Sequence, residues 1–380
     1  MDFELSEEHK MLREVIRNFV EKEIAPLVDE AEAKEQFPVQ LFPMMGELGY
    51  LCANYPTEYG GGGMGMIGEC IVIEEVGRVC LGIAAGLLEQ CGTSVTPILE
   101  HGTEEQKQKY VVAAAKGQKI GAFALTEPNA GSDAASIETT AVKKGDKYII
   151  NGSKIFITNG PICDFVVTAA YTDKSLGASK GISLFIVDAD TPGLTRTKME
   201  KFCMRATENA ELFFEDCAVP AENLIGEEGR GFIYVLENLE ASRIARSAIG
   251  LGIAQAAYEA ALDYVQHRVQ FGQPIYKFQV NAFKVARMAT DIEAARWLMY
   301  RAAWLHDQGV RRFNEAPMLK LFASEVACRV TADAMQIHGG YALMSDSKIQ
   351  RYFRDARAIT ITDGTDEIQQ VVISRGLGLR

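Results

Sequence analysis

"KYIINGSKIFIT", residues 147–158, is the stretch whose reading decides the fold. Two runs rich in β-branched and aromatic residues flank Asn151-Gly152, the strongest short hairpin signal a sequence carries. Three similar runs lie around it: "DFVVTAAY" (164–171), "GISLFIVDAD" (181–190) and "AELFFEDCAV" (210–219). They follow one another without intervening helical patterns. The spacing therefore predicts a β-barrel or sandwich over 118–227 and speaks against a doubly wound parallel sheet.

Moving outward, both flanks read as helix. In "LSEEHKMLREVIRNFVEKEIAPLV" (5–28), Leu12, Val15, Ile16, Phe19 and Val20 recur at helical spacing, and Ser6 is placed to cap them. Further helical patterns cover 38–49, 64–79, 81–100 and 103–116, so residues 1–117 form an N-terminal helical domain. After 228 the chain returns to long helices starting at Gly231, Phe278 and Glu315, and "GTDEIQQVVISRGL" (364–377) closes the set. Residues 228–380 are expected to form a C-terminal four-helix bundle. The fold class is α+β, mostly α.

Composition bounds the function. The chain has 380 residues, 48% hydrophobic and 24% charged, with a formal net charge of −12. That balance speaks against nucleic acid or an anionic membrane as partner. No apolar run reaches the ~18 residues of a membrane span. "MDFELSEEHK" lacks a basic segment followed by an apolar one, so the expected address is the cytoplasm. Eight scattered cysteines with no C-x-x-C, and five dispersed histidines, argue against a metal site or a disulfide framework.

Several stretches could carry chemistry. "GMGMIG" (63–68) matches G-x-G-x-x-G, but no strand precedes it, so it reads as a loop entering a helix. "FALTEPNAGSDAAS" (123–136) ends a strand in a polar Gly-rich turn. Together with Phe156 and Thr158 of "KIFITNG" (154–160), its hydroxyls and backbone N–H groups suit a flat heteroaromatic cofactor. "HRVQFGQPIYKFQ" (267–279) and "DAMQIHGGYAL" (333–343) join or end helices. Arg268 there is either a dipole partner or a pyrophosphate partner, and Gly339-Gly340 a helix cap. In "ITITDGTDEIQQ" (359–370), local chemistry alone makes Asp363 a turn or cap residue.

Taken together, "LTEPNAGSD", "YIINGSKIFITNG", "RVQFGQPIYKFQ", "DAMQIHGG" and "DGTDEIQ", in that order and spacing, resemble the acyl-CoA dehydrogenase family over essentially the whole chain. The resemblance implies a homotetramer with FAD between the domains. It places Phe123, Leu125, Thr126, Gly131, Ser132, Phe156 and Thr158 beside the flavin. It places Arg268, Phe271, Gln279, Gln336, Gly339 and Gly340 on the FAD of a neighbouring subunit, and Thr365 and Glu367 as further cofactor contacts. Ser132, Arg243 and Gly364 match positions near the CoA thioester. The implied reaction removes an α-proton by a carboxylate whose pKa rises in a dry pocket, and a β-hydrogen as hydride to flavin; electrons then pass to an electron-transferring flavoprotein.

One departure stands out. Where most members carry Glu, this chain has Asp363, and the alternative base position on the first long bundle helix is Ser242. Asp is shorter by roughly 1.4 Å, a misplacement that costs on the order of a hundredfold in rate if nothing compensates. The expected acyl group is therefore alicyclic, of the cyclohexanecarboxyl-CoA type, or short and branched. Glu89 and Glu240 are the reserve bases. "GIAAGLLEQCGTSV" (82–95) carries no Arg or Lys, which disfavours a dicarboxylic substrate. The rival readings are a relative using oxygen or a non-CoA substrate, and a non-catalytic flavin-binding assembly protein.

Overall fold

A computed structural model describes residues 4–310 and 314–379. Its principal helices are α1 (Glu7–Phe19), α2 (Gly65–Val79), α3 (Leu81–Leu88), α4 (Gly231–His267), α5 (Gln279–Asp307), α6 (Glu315–His338), α7 (Lys348–Ile359) and α8 (Asp366–Gly376). The Ser6 side chain caps α1 by accepting from the His9 N–H, as its position predicts. The 37-residue α4 is the central strut and packs against α2, α5, α6 and α7. The bundle expected after 228 has one element more than the apolar pattern indicated: α7, whose arginines obscure its buried face of Ile349, Tyr352, Ala356 and Ile359.

Between the helical regions lie β1 (Gly121–Ala124), β2 (Thr140–Lys144), β3 (Lys147–Thr158), β4 (Phe165–Tyr171), β5 (Ile182–Asp188), β6 (Leu194–Met199), β7 (Asn209–Pro220) and β8 (Leu224–Ile225). They form one sheet in the order β6-β7-β3-β2-β4-β5-β8, with β1 added beside β4. Only the β1–β4 and β2–β4 pairings are parallel. Both faces of its centre are buried, by strand alternation. On β4, Phe165, Val167 and Ala169 join the large core shared with the helices, while Val166 and Ala170 join a second core inside the β region.

The hairpin expected at Asn151-Gly152 is not there. β3 runs straight through it as a twelve-residue strand, and the β2–β3 turn falls at Gly145-Asp146 instead. Asn151-Gly152 is a bulge in the β3–β7 ladder, with Asn151 bonded to Asp216 on β7. Gly152 has φ +149°, and a Cβ there would meet Thr139 Oγ1 at 2.4 Å. Gly152→Ala should therefore cost about 1–3 kcal/mol, read as a lowered denaturant midpoint.

The Gly63–Gly68 stretch enters α2, and the N–H groups of Met66 and Ile67 donate to the Asp307 carboxylate at 2.7 and 3.3 Å. The helix end that a dinucleotide motif would offer to pyrophosphate is thus already taken by an acid of this chain.

Candidate active site

Asp363 sits in the turn between α7 and α8, in the left-handed region at φ +56°. Aspartate tolerates that conformation better than most residues. It is not a cap: the N-cap of α8 is Thr365, whose hydroxyl accepts from the Ile368 N–H. The Asp363 side chain turns inward onto α4. Ser242 Oγ donates to its Oδ2 at 2.6 Å, and Arg246 Nε and Nη2 donate to Oδ2 and Oδ1 at 3.2 and 3.3 Å. Ser242 and Arg246 are one helical turn apart, so both meet the same carboxylate. Ser242, the residue at the alternative base position, thus holds the Asp363 carboxylate.

The backbone of the turn is clamped as well. Arg243 Nε and Gln369 Nε2 both donate to the Asp363 carbonyl. Next to it, Gly364 adopts φ +88°, and a Cβ there would lie 3.0 Å from Gln369 Nε2. Below, the buried Lys320 amine and the Ser324 hydroxyl donate to Asp366 at 2.8 and 2.9 Å. Three helices therefore fix the position of one carboxylate.

The electrostatics depart from expectation in direction. Burial pushes the Asp363 carboxyl upward, but the Arg246 charge, the Ser242 hydroxyl and Arg243 outweigh it and hold it below the usual Asp value. Glu89 shows the opposite balance. Its burial, only partly offset by Arg246, pushes it up to about 8, so it carries its proton at neutral pH. Because the folded chain binds that proton more tightly than the unfolded one, its stabilising effect is full below the ordinary Glu value and is lost as pH rises through about 8. Glu89→Gln should flatten the fall of the thermal midpoint between about pH 5 and 8, measured by calorimetry.

Glu89 also reaches the sheet. Its carboxyl accepts from the Phe123 N–H at 2.9 Å, and Gln90 accepts from the Gly121 N–H at 2.7 Å, so the open edge of β1 is closed by side chains. The other reserve base, Glu240, lines a cavity of about 170 Å³ with Glu237, His306 and Glu315, and Asp363 is not among the residues lining it.

The residues expected beside a flavin come together at the sheet. The Ile155 N–H donates to the Thr126 carbonyl at 2.9 Å, which sets the 125–132 loop against the end of β3. There Asn209 Nδ2 bonds both the Phe156 carbonyl and Thr158 Oγ1. A β-bulge puts Phe156 at φ +63° and leaves the residue 61% exposed. Leu125, Thr126 and Thr158 are half-buried, Gly131 and Ser132 are open, and no atom lies within 4 Å of a Cβ built on Gly131. An exposed aromatic face beside hydroxyls and an unobstructed glycine fits a flat isoalloxazine ring.

The second expected set lies elsewhere. Arg268, Phe271 and Gln279 border the short hairpin after α4, and Gln336, Gly339 and Gly340 end α6. These ends meet through Arg268 stacking on Tyr341 and Tyr264 on His338. Phe271 is 92% exposed. From Ser242 to His267, α4 spans roughly 38 Å at the helical rise. The second set thus lies roughly that far along α4 from Ser242 and the Asp363 it holds. Thr365 caps α8, and Glu367 in its first turn is exposed.

Sequence reading missed Arg246, which touches Asp363 directly. Its one available signal was the i, i+4 spacing from Ser242. Among the described residues no helix is long and apolar enough to cross a membrane.

Comparison with known proteins agrees with this architecture. Three family models match: Acyl-CoA dehydrogenase, N-terminal domain, over residues 6–118; middle domain, over 122–217; and C-terminal domain, over 229–378. An acyl-CoA dehydrogenase of Bacillus subtilis is 45% identical over 374 residues, covering 98% of each chain. A cyclohex-1-ene-1-carbonyl-CoA dehydrogenase of Syntrophus aciditrophicus is 44% identical over 98% of this chain and 91% of its own. A chain solved in work on the electron transferring flavoprotein of Acidaminococcus fermentans superposes with a TM-score of 0.97 at 46% identity, covering 99% of both. With all three family regions matched end to end, the chain belongs to the acyl-CoA dehydrogenases, FAD-dependent oxidoreductases acting on acyl-CoA thioesters.

Proposed function

We propose that Asp363 is the base that takes the α-proton of the bound thioester. The observation that carries this reading is its clamped geometry: a half-buried carboxylate held by Ser242 and Arg246, on a turn whose carbonyl accepts from Arg243 and Gln369. Bound against these residues, FAD would supply the hydride acceptor for the β-hydrogen. The chain supplies the rest. Phe123, Leu125, Thr126, Gly131, Ser132, Phe156 and Thr158 hold the ring side. Ser132, Arg243 and Gly364 border the thioester, and Thr365 and Glu367 complete the cofactor contacts. As the proton leaves carbon, it moves to an Asp363 oxygen, and the carboxyl becomes neutral.

Arg268, Phe271, Gln279, Gln336, Gly339 and Gly340 serve the FAD of a second copy, in a homotetramer. Their place roughly 38 Å along α4 from Ser242, the residue that holds Asp363, supports this. A fully exposed Phe271 supports it too. Gel filtration with light scattering should give a tetramer, and Phe271→Asp should shift it toward smaller species that bind FAD weakly.

The acyl group is compact and branched or alicyclic at the α-carbon. The shortened acid supports this, as does the 44% likeness to a cyclohex-1-ene-1-carbonyl-CoA dehydrogenase. An electron-transferring flavoprotein is the acceptor, a reading supported by the 0.97 superposition noted above. The test is anaerobic titration of the yellow protein with linear, branched and cyclic acyl-CoAs. Bleaching that persists when air is admitted is the expected result. Rapid return of the yellow colour would favour an oxidase, and no bleaching by any thioester a non-catalytic flavin protein.

A further inference from the structure

The two oxygens of the Asp363 carboxylate are not equivalent. Oδ2 accepts from Ser242 Oγ at 2.6 Å and from Arg246 Nε at 3.2 Å. Oδ1 accepts from Arg246 Nη2 at 3.3 Å, the longest of the three bonds. A carboxylate oxygen offers about two lone-pair sites, so Oδ2 is filled and Oδ1 keeps one open. A proton arriving at Oδ2 has to displace one of two donors. A proton arriving at Oδ1 displaces at most the weakest bond of the set.

Arg246 does two things at this carboxylate. Its Nε and Nη2 form a planar fork that fixes the plane of the carboxyl group, which a point charge does not. Its charge is also the largest of the effects that oppose burial and keep Asp363 ionised. The other charged or titratable groups facing Asp363 are Arg243 on α4, Lys320 on α6 and Glu89 just after α3. Glu89 carries its proton below about pH 8, so it adds no negative charge there. The guanidinium has a cost, because a cation beside the base weakens it toward a weakly acidic C–H. Orientation offsets that cost. The α-carbon has to come within about 3–3.5 Å of the reacting oxygen, and a fixed carboxyl plane aims that oxygen.

We propose that Arg246 is a positioning residue for proton transfer: with Ser242 it holds Asp363 through Oδ2, and it presents Oδ1 as the oxygen that takes the α-proton. As the α-C–H bond breaks, its electron pair stays on the α-carbon and a lone pair of Oδ1 forms the new O–H bond. Oδ2 then becomes the carbonyl oxygen of a neutral carboxyl group and keeps its bonds from Ser242 and Arg246. This inference rests on the reading of Asp363 as the base and deepens it.

The test follows flavin reduction by a saturating acyl-CoA in the FAD-loaded protein, by anaerobic stopped flow at about pH 5 and about pH 7, where Glu89 keeps its proton. The wild-type rate should differ by less than about threefold between the two, because Asp363 is ionised at both. Arg246→Leu should be about tenfold or more slower at the lower pH than at the higher, since burial then governs the carboxyl. Arg246→Lys should keep the flat profile and be slower at both, having the charge without the fork. An infrared difference between the two pH values gives a readout apart from turnover. After subtraction of the Asp363→Asn signal, a protonated carboxyl band should appear in Arg246→Leu and not in the wild type. If Arg246 only supports the fold, its removal lowers the rate equally at both pH values and no band appears, which would overturn the proposal. So would a wild-type rate that itself falls about tenfold toward the lower pH, a result independent of whether any variant folds. If Asp363→Asn reduces flavin as fast as the wild type, the base reading falls and this inference with it. If Asp363→Asn is slow and Arg246→Leu keeps the flat profile, only this inference falls.

Discussion

Asp363→Asn should leave a folded yellow protein whose flavin is reduced by acyl-CoA thioesters about 10²–10⁴-fold more slowly than in the wild type, the range a positioned general base contributes. The amide keeps the shape of the side chain and can still accept from Ser242 and Arg246, but it cannot take a proton. Asp363→Glu is not a simple restoration of reach. Ser242 Oγ stands 2.6 Å from Oδ2, so an added methylene must push the carboxylate past Ser242 and Arg246 or bend the turn. We expect Asp363→Glu to be slower than wild type and Asp363→Glu with Ser242→Gly to recover part of the rate, measured by stopped-flow reduction.

Lys154→Met should destabilise the fold by about 3–5 kcal/mol, the cost of removing one partner of a buried pair. The Lys154 side chain is fully buried, and its Nζ donates to the Leu125 carbonyl at 3.0 Å and to Glu127 at 2.8 Å. Burial lowers the amine to about 8, even with Glu127 beside it. Glu127 in turn accepts from the N–H groups of Glu138 and Thr139, so one ion pair ties β3 to both ends of the 125–139 loop. That loop carries Thr126, Gly131 and Ser132. The variant should therefore lose FAD as well as stability, read as a lowered thermal midpoint and a lower flavin-to-protein ratio. Adding Glu127→Gln should return part of the stability, because it removes the orphaned charge.

Much of this was legible in the sequence because local chemistry and motif order pointed the same way. The β-rich runs, the helical spacing around them and the five ordered motifs gave the three-part architecture, and Phe156 and Thr158 do stand beside Thr126. What failed did so for identifiable reasons. Asn151-Gly152 looks like a hairpin turn, yet the same pair serves a bulge wherever the partner strand continues, as β7 does here. The α7 helix was hidden because arginines such as Arg354 are buried in ion pairs, with Glu32 and Asp355, which breaks the apolar stripe. Arg246 is one arginine among several on a long helix, and nothing short of the packing of α7 against α4 and of α8 against α6 brings Asp363 to it. The direction of the Asp363 shift depends on that same contact, so burial alone gave the wrong sign.

The central claim is that Asp363 moves the α-proton. The most direct measurement incubates the FAD-loaded protein with an acyl-CoA thioester in D₂O without an electron acceptor, and follows deuterium at the α-carbon of the recovered thioester by mass spectrometry. The account predicts label introduced by the wild type and none above background by Asp363→Asn. Equal labelling by the two proteins would contradict it and assign the base to another residue.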